Sequence, residues 1–336
     1  MLLSPCGPRW GWIRRLSAAI NDMKEVNEAV SCADLLKAYM LSRKGVGPSG
    51  KFRFEGVGAR DVYNIAAPFV SGAKRYLPGR VESRGTELSE IVFFTESGDG
   101  VWVPAADVPT FKGLQDPCMA FINGRLILGG VRFPIELPGG EKIWRMEFYS
   151  GTSLNSLELL FRGPDKMKDI RLGSLADGRI AVLTRAQGDK GGRGKTGFAV
   201  APSLEAVTAG LIEAAPLIEG QVIPGEWCGA NEAHLLKNGL LGLLGHIACY
   251  DDGRDRHYYP TSFVLDPVKK TTSPVRIIAR RSDFPAGPAK LPDLEDVVFS
   301  GGLVRNGGGR AALYAGLSDA EAGWLTVPDP FDAFEV

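Results

Sequence analysis

Acidic side chains recur along this 336-residue chain at a steady interval, each with cations nearby. Asp116, Asp169, Glu232 and Asp296, with Asn64 ahead of them, stand 52 to 64 residues apart. Arg80 follows the first of these positions, and Lys166, Lys168 and Arg171 surround Asp169. Arg185 and His246 come after the third and fourth, and Asp319 adds a further carboxylate near the end. Carboxylates crowded together raise one another's pKa, whereas interleaved cations lower it. Such a mixture suits holding one acid protonated while binding an anion. A single charge of this kind would read as a cap on a strand end. Recurrence at corresponding positions favours a site.

The elements that must position these groups are repeats. Leu114–Gly130 reads as an acidic anchor, a short apolar strand, an Asn123-Gly124 turn and a second strand. Asn-Gly fits the two positive-φ positions of a type I′ hairpin turn. The same unit leads from Asn64 to Ser71-Gly72, from Asp169 to Asp177-Gly178, from Glu232 to Asn238-Gly239 and from Asp296 to Asn306-Gly307. A hairpin-bearing unit at a period of roughly 40–60 residues is the signature of β-propeller blades. Five units predict an all-β, five-bladed β-propeller, with the anchors converging at one mouth of its central channel.

Composition agrees with a folded, closed β architecture. Apolar residues are 44% and charged residues 23%, which excludes a disordered chain. The 39 basic and 39 acidic residues leave no net charge, so the global field of a nucleic-acid binder is missing. No apolar run approaches the roughly 20 residues needed to cross a bilayer. Five cysteines, an odd number with no CxxC pair, read as free thiols of a reducing, cytoplasmic compartment.

Residues 1–30 read as a tail, disordered or preceding a true start at Met23; its arginines and serines also suit a transit peptide. Residues 31–336 then form one catalytic domain. Ala33–Leu41 has helical spacing after a Ser31 cap and predicts a short helix outside the ring. Ser203–Leu211 is the other helical stretch. Two motifs mislead. Gly188–Thr196 lacks the first glycine of a P-loop and runs into the strand-like Gly197–Val200, so it reads as a flexible basic hairpin loop. His234, His246 and His257 show no metal-ligand spacing, and no metal is expected.

Taken together, the motifs carry a resemblance. Tyr63-Asn64-Ile65-Ala66-Ala67-Pro68 with Arg80-Val81-Glu82, Gln115-Asp116-Pro117, Lys168-Asp169 followed by Arg185, and Gly245-His246 are similar to motifs of the inverting β-mannoside phosphorylases. Asp296–Gly302 and Tyr314–Asp319 resemble their closing pair. Gly58–Asn64, Met167–Leu172 and Asn231–Leu236 more closely resemble a sister group, the mannosyltransferase-phosphorylases of β-1,2-mannan turnover. The resemblance spans residues 33–330. It departs at Gln115, where the family has an acidic residue, and at Thr184, where it has histidine.

The resemblance implies an inverting β-mannoside phosphorylase or mannosyltransferase. Asp116 would be the general acid, acting through a sugar hydroxyl. Arg80, Lys168, Arg185 and His246 would bind phosphate, and Asn64, Asp169, Glu232 and Asp319, with Arg171, would hold sugar hydroxyls. The expected partners are a β-mannooligosaccharide with phosphate, mannose 1-phosphate, or a nucleotide sugar as donor; no cofactor is expected. Phosphate is already anionic and needs no general base. An inverting hydrolase would need one, a second carboxylate roughly 6.5–9.5 Å from the acid, for which Asp169 and Glu232 are candidates. A non-catalytic carbohydrate-binding propeller is the third reading. Oligomeric state is left open by the sequence.

Overall fold

The computed structural model describes residue 20 and residues 22–43, 45–98 and 100–335. The expected N-terminal tail therefore lies largely outside the described residues. Its last part does not hang free. Lys24 exchanges two backbone hydrogen bonds with Thr272, at 2.9 and 2.7 Å, and the Asn27 amide donates to Thr272 Oγ1 at 2.8 Å.

Alternating apolar and polar residues bounded by turn-forming glycines give strands, which pair in sequence as antiparallel meanders. The first runs through Asp61–Tyr63, Phe69–Ser71, Lys74–Glu82, Ser89–Glu96 and Val101–Pro104. Leu114–Ile122, Arg125–Glu136, Lys142–Gly151 and Glu158–Asp165 form the second. The third is Arg171–Ser174, Ile180–Gln187 and Gly192–Ala201. Trp227–Leu235, Leu241–Tyr250 and Arg256–Leu265 make the fourth, and Asp296–Gly307, Arg310–Leu317 and Glu321–Pro328 the fifth. A two-residue parallel contact, His257 and Tyr258 beside Asp296 and Val297, joins the last two into one eight-stranded sheet.

The core lies between neighbouring meanders. Ile91 and Phe93 of the first pack with Leu126 and Leu128 of the second. Ile127 and Phe148 of the second meet Ile180 and Val182 of the third. Leu183 and Phe198 of the third meet Leu241 and Leu243 of the fourth. Leu244 and Val264 of the fourth meet Val298 and Leu313 of the fifth. Tyr314 and Ala322 of the fifth return to Val62 and Leu77 of the first, so the succession closes on itself. Burying each such large apolar side chain contributes roughly 1.5–3 kcal/mol. A short ribbon fastens the closure: Ser49–Lys51 pairs with Glu321–Pro328, and Arg53–Phe54 pairs with Val101–Pro104.

The expected N-terminal helix spans Cys32–Ser42, with the Ser31 hydroxyl accepting from the Asp34 N–H at 3.1 Å. Its face of Cys32, Leu35 and Tyr39 is buried against Cys228, Ile247 and Tyr259 of the fourth meander. Three details differ from expectation. The stretch 203–211 splits into a 3-10 turn, Leu204–Ala206, and a helix, Ala209–Ala214, because the Thr208 hydroxyl caps a new start. The glycine-rich segment forms one helical turn, Gly188–Gly191, before strand Gly192–Ala201 begins. In the fifth meander the strand continues through Gly307, and the turn falls at Gly308-Gly309, both with positive φ.

Candidate active site

Most anchor positions sit where the first strand of a meander breaks step with its neighbour. Asn64, Asp116 and Asp169 adopt left-handed φ values of 44°, 51° and 58°, the first two at such breaks and Asp169 two residues before strand Arg171–Ser174 begins. The corresponding bulge of the fourth meander falls at Asn231, between Ala230 and Glu232, and that of the fifth at Gly301. Glu232 and Asp296, counted as anchors from sequence, are thus each out of step. The signal was present: Asn231 precedes its turn glycine, Gly239, by the same eight residues that separate Asn64 from Gly72 and Asp116 from Gly124.

The second strands contribute Arg80, Val131, Arg185 and His246, and Asp319 follows the end of strand Arg310–Leu317 by two residues. With the anchors they line a cavity of about 470 Å³, within the roughly 300–1,000 Å³ of small-molecule sites. Of the sequence-predicted residues, Asn64, Arg80, Asp116, Lys168, Asp169, Arg185, His246 and Asp319 converge here. Glu232 and Arg171 do not. They line a separate cavity of about 200 Å³ toward the hairpin turns. The Glu232 carboxylate meets His234 Nε2 at 2.9 Å and accepts from the Leu303 N–H at 2.7 Å. Arg171 donates to the Asn231 and Ile170 carbonyls and stands behind Asp169, 3.7 Å away.

Two polar networks face the cavity. In the first, Asp116 Oδ1 accepts from Asn64 Nδ2 at 2.9 Å and from Arg80 Nη1 at 3.1 Å. Arg80 is itself held by Glu82 and Ser89, and Glu82 also bonds Tyr63 and Lys290. Glu82 is buried, which favours its neutral form, yet Arg80 and Lys290 hold it below the ordinary carboxylate range. Asp319, beside Asp116, moves the other way: burial pushes its carboxyl up, and Asp116 outweighs only part of the relief from Arg80.

In the second network Arg185 Nη1 donates to Asp169 Oδ2 at 2.8 Å. Burial alone would raise Asp169, but Arg185, His246, Arg171 and Lys168 hold it well below the carboxylate range. His246 is pulled down to about 3, chiefly by burial, and is therefore a neutral imidazole. Its Nδ1 bonds Asn231 Oδ1 at 2.8 Å, while its Nε2 and Arg185 Nε are buried without partners among the described residues. Lys168 lines the cavity and makes no ion pair with another described residue. The site thus presents Lys168 and Arg185 Nε as unspent donors to an anion, whereas neutral His246 carries its proton on Nδ1, toward the Asn231 oxygen, and offers a lone pair at Nε2. Sequence reasoning missed Lys290, Asn231 and Tyr258; Lys290 sits in a long connection that carries no repeat signal.

Close packing fixes the anchor. A Cβ on Gly316 would lie 2.1 Å from Asn64 Oδ1 and 2.7 Å from its backbone nitrogen. Gly316→Ala is therefore expected to displace Asn64 and cost about 1–3 kcal/mol of stability. Gly210→Ala, which meets nothing within 4 Å, serves as the neutral comparison. Denaturant unfolding of both variants checks this.

The family model described as a protein of unknown function (DUF1861) matches residues 39–333. No curated protein sequence matches. Among solved structures, a mannose phosphorylase from Leishmania mexicana, MPT-4, in complex with a phosphate ion is 33% identical, with a TM-score of 0.83, covering 90% of this chain and 95% of that one. MPT-1, a GDP-Man-dependent mannosyltransferase from the same organism, is 30% identical with a TM-score of 0.82, covering 91% and 96%. A β-1,2-mannobiose phosphorylase from Listeria innocua shares the fold at 14% identity and a TM-score of 0.57, covering 81% and 91%.

Proposed function

The chain belongs to the mannosyltransferase-phosphorylase family, and on that premise we propose that it is a β-mannoside phosphorylase, releasing α-mannose 1-phosphate with inversion. We read its five meanders as the blades of a five-bladed propeller, and residues 31–336 as one catalytic domain. The observation that carries the reading is the pairing of the two networks across one cavity: Asp116 with Asn64 and Arg80 in one, Lys168, Arg185 and His246 in the other.

A terminal β-mannosyl residue fits beside Asp116, Asn64 and Asp319. Asp116 delivers its proton through a sugar hydroxyl to the glycosidic oxygen. A phosphate oxygen bonds to the anomeric carbon from the opposite face as the glycosidic C–O bond breaks. Inorganic phosphate is the co-substrate, and no cofactor takes part. Arg80 is committed to Glu82 and Asp116, so Lys168 and Arg185 are the better phosphate donors, and the free Nε2 of neutral His246 accepts from a protonated phosphate oxygen. A nucleotide sugar as donor would use the same mannosyl subsite.

Hydrolysis is less well supported by this geometry. Asp169, one candidate base, is paired with Arg185 and held as a weakly basic carboxylate; Glu232, the other, lies outside the cavity. The deciding experiment incubates the protein with β-1,2-mannobiose with and without inorganic phosphate. Mannose 1-phosphate formed only with phosphate supports phosphorolysis; free mannose at equal rates in both would overturn it. Lys168→Met is expected to raise the KM for phosphate about 10- to 100-fold, the worth of a charge-assisted hydrogen bond. Because Lys168 makes no ion pair with another described residue and is the smallest of the four influences named on Asp169, the variant's melting temperature should be nearly unchanged.

A further inference from the structure

Asp296, displaced from the ring of anchors, has another use on the outside of the fourth meander. Its Oδ2 lies 2.8 Å from His257 Nδ1 and also accepts from the Tyr259 hydroxyl. His257 Nε2 stands 3.5 Å from Asp251. Directly opposite His257 in the sheet is Cys249, its cross-strand partner. Cys249 is half-buried and packs against the fully buried Cys32, the first residue of the N-terminal helix. The helix lies against strand Leu241–Tyr250, which carries Cys249. The helix start is fixed there by Glu226, whose two oxygens each lie 2.9 Å from the Cys32 nitrogen.

We propose that Cys249 and Cys32 form a redox-active thiol pair, in which Cys249 is the peroxide-reactive sulfur and Cys32 resolves the product to a disulfide. A nucleophilic cysteine needs thiolate character and access, and a resolving thiol within reach. The Cys249 thiol is held below its ordinary value by its neighbours Cys32 and His257, the latter directly across the strand pair. Burial disfavours the charged form of His257, but Asp296 and Asp251 outweigh it and raise its pKa. Cys118 and Cys228, by contrast, are buried and raised, as inert core thiols are.

The chemistry balances with a hydroperoxide as oxidant. The Cys249 sulfur attacks one peroxide oxygen; the S–O bond forms, the O–O bond breaks, and the leaving oxygen takes a proton. Cys32 then attacks the Cys249 sulfur, the S–O bond breaks, and water leaves with the Cys32 proton. Two thiols and one hydrogen peroxide give one disulfide and two waters. A thiol reductant reverses the change. The link would pin the helix to strand Leu241–Tyr250, which carries His246 three residues before Cys249.

The test treats the full chain with hydrogen peroxide, blocks remaining thiols, and maps digested peptides by mass spectrometry. A reducible peptide joining Cys32 to Cys249 is expected, at least about tenfold faster than any oxidation of Cys118 or Cys228. In Cys32→Ser, Cys249 should instead accumulate as a sulfenic acid trapped by dimedone. Oxidation that leaves Cys32 and Cys249 unlinked in the wild-type chain, or a Cys249 no faster than Cys118, would overturn the proposal. The wild-type map decides even where a variant folds poorly, and it needs no assay of turnover.

Discussion

Asp116→Asn is expected to lower kcat for mannose 1-phosphate formation by about 10²–10⁴, the range for removing a general acid. The loss should be chemical and not structural. An asparagine at 116 keeps an oxygen to accept from Asn64 and Arg80, so the melting temperature should move little. A competing assignment tests the specificity of the effect. Asp319 is the carboxyl that burial and the neighbouring Asp116 push up, and it therefore holds its proton more readily. Neutralising Asp116 removes one of those two causes, so Asp319 should titrate at lower pH in Asp116→Asn. Asp319→Asn, if Asp319 only holds the sugar, should raise the KM for mannoside more than it lowers kcat. Measuring kcat and kcat/KM for both variants across pH separates the roles; equal losses of kcat would make the two carboxyls a unit.

The second large effect is on stability. Arg185→Met is expected to destabilise the protein by about 3–5 kcal/mol, since it leaves the buried Asp169 without its closest cation. Asp169→Asn in the same chain should restore much of that loss, because the orphaned charge is then gone. Urea unfolding of the two single variants and the double variant gives the coupling directly. Acid should act in the same direction on the wild type. Asp169 has a depressed pKa, so its contribution is present above the ordinary aspartate value near 3.8 and is lost as pH falls below it. His246, ordinarily 6.5 and here about 3, binds its proton more readily when unfolded. Stability should therefore already decline as pH falls from 6.5 toward 3. His246→Gln should flatten that limb.

The meanders and most of the cavity were legible in the sequence for one reason. A hairpin turn and an anchor are local features, and the repeat brings local features of successive meanders together. Asn64, Asp116 and Asp169 were found that way. Glu232 and Asp296 were misread because acidity was given more weight than register: the bulge selects Asn231 and Gly301, one polar and neutral, the other without a side chain. A one-residue change of step sends a strand side chain to the opposite face. Arg80 could be seen, but not its commitment to Glu82, which depends on contacts between strands. Lys290 reaches Glu82 from a non-repeating connection, and no periodicity points to it.

The ribbon at residues 49–54 sets an order on biosynthesis. Ser49–Lys51 leaves the ribosome long before its partner, Glu321–Pro328, has been made. The pairing of this ribbon with the fifth meander joins residues more than 270 apart, and contacts of high sequence separation are slow to form. Until it forms, a nascent chain carries two open sheet edges, each able to pair with another molecule. Translation that stops short of Glu321 would therefore yield a product that sticks to its own kind. A circular permutant that places the new termini in another inter-meander connection, with the old ones joined, would make this seam contiguous and should fold faster than the natural order.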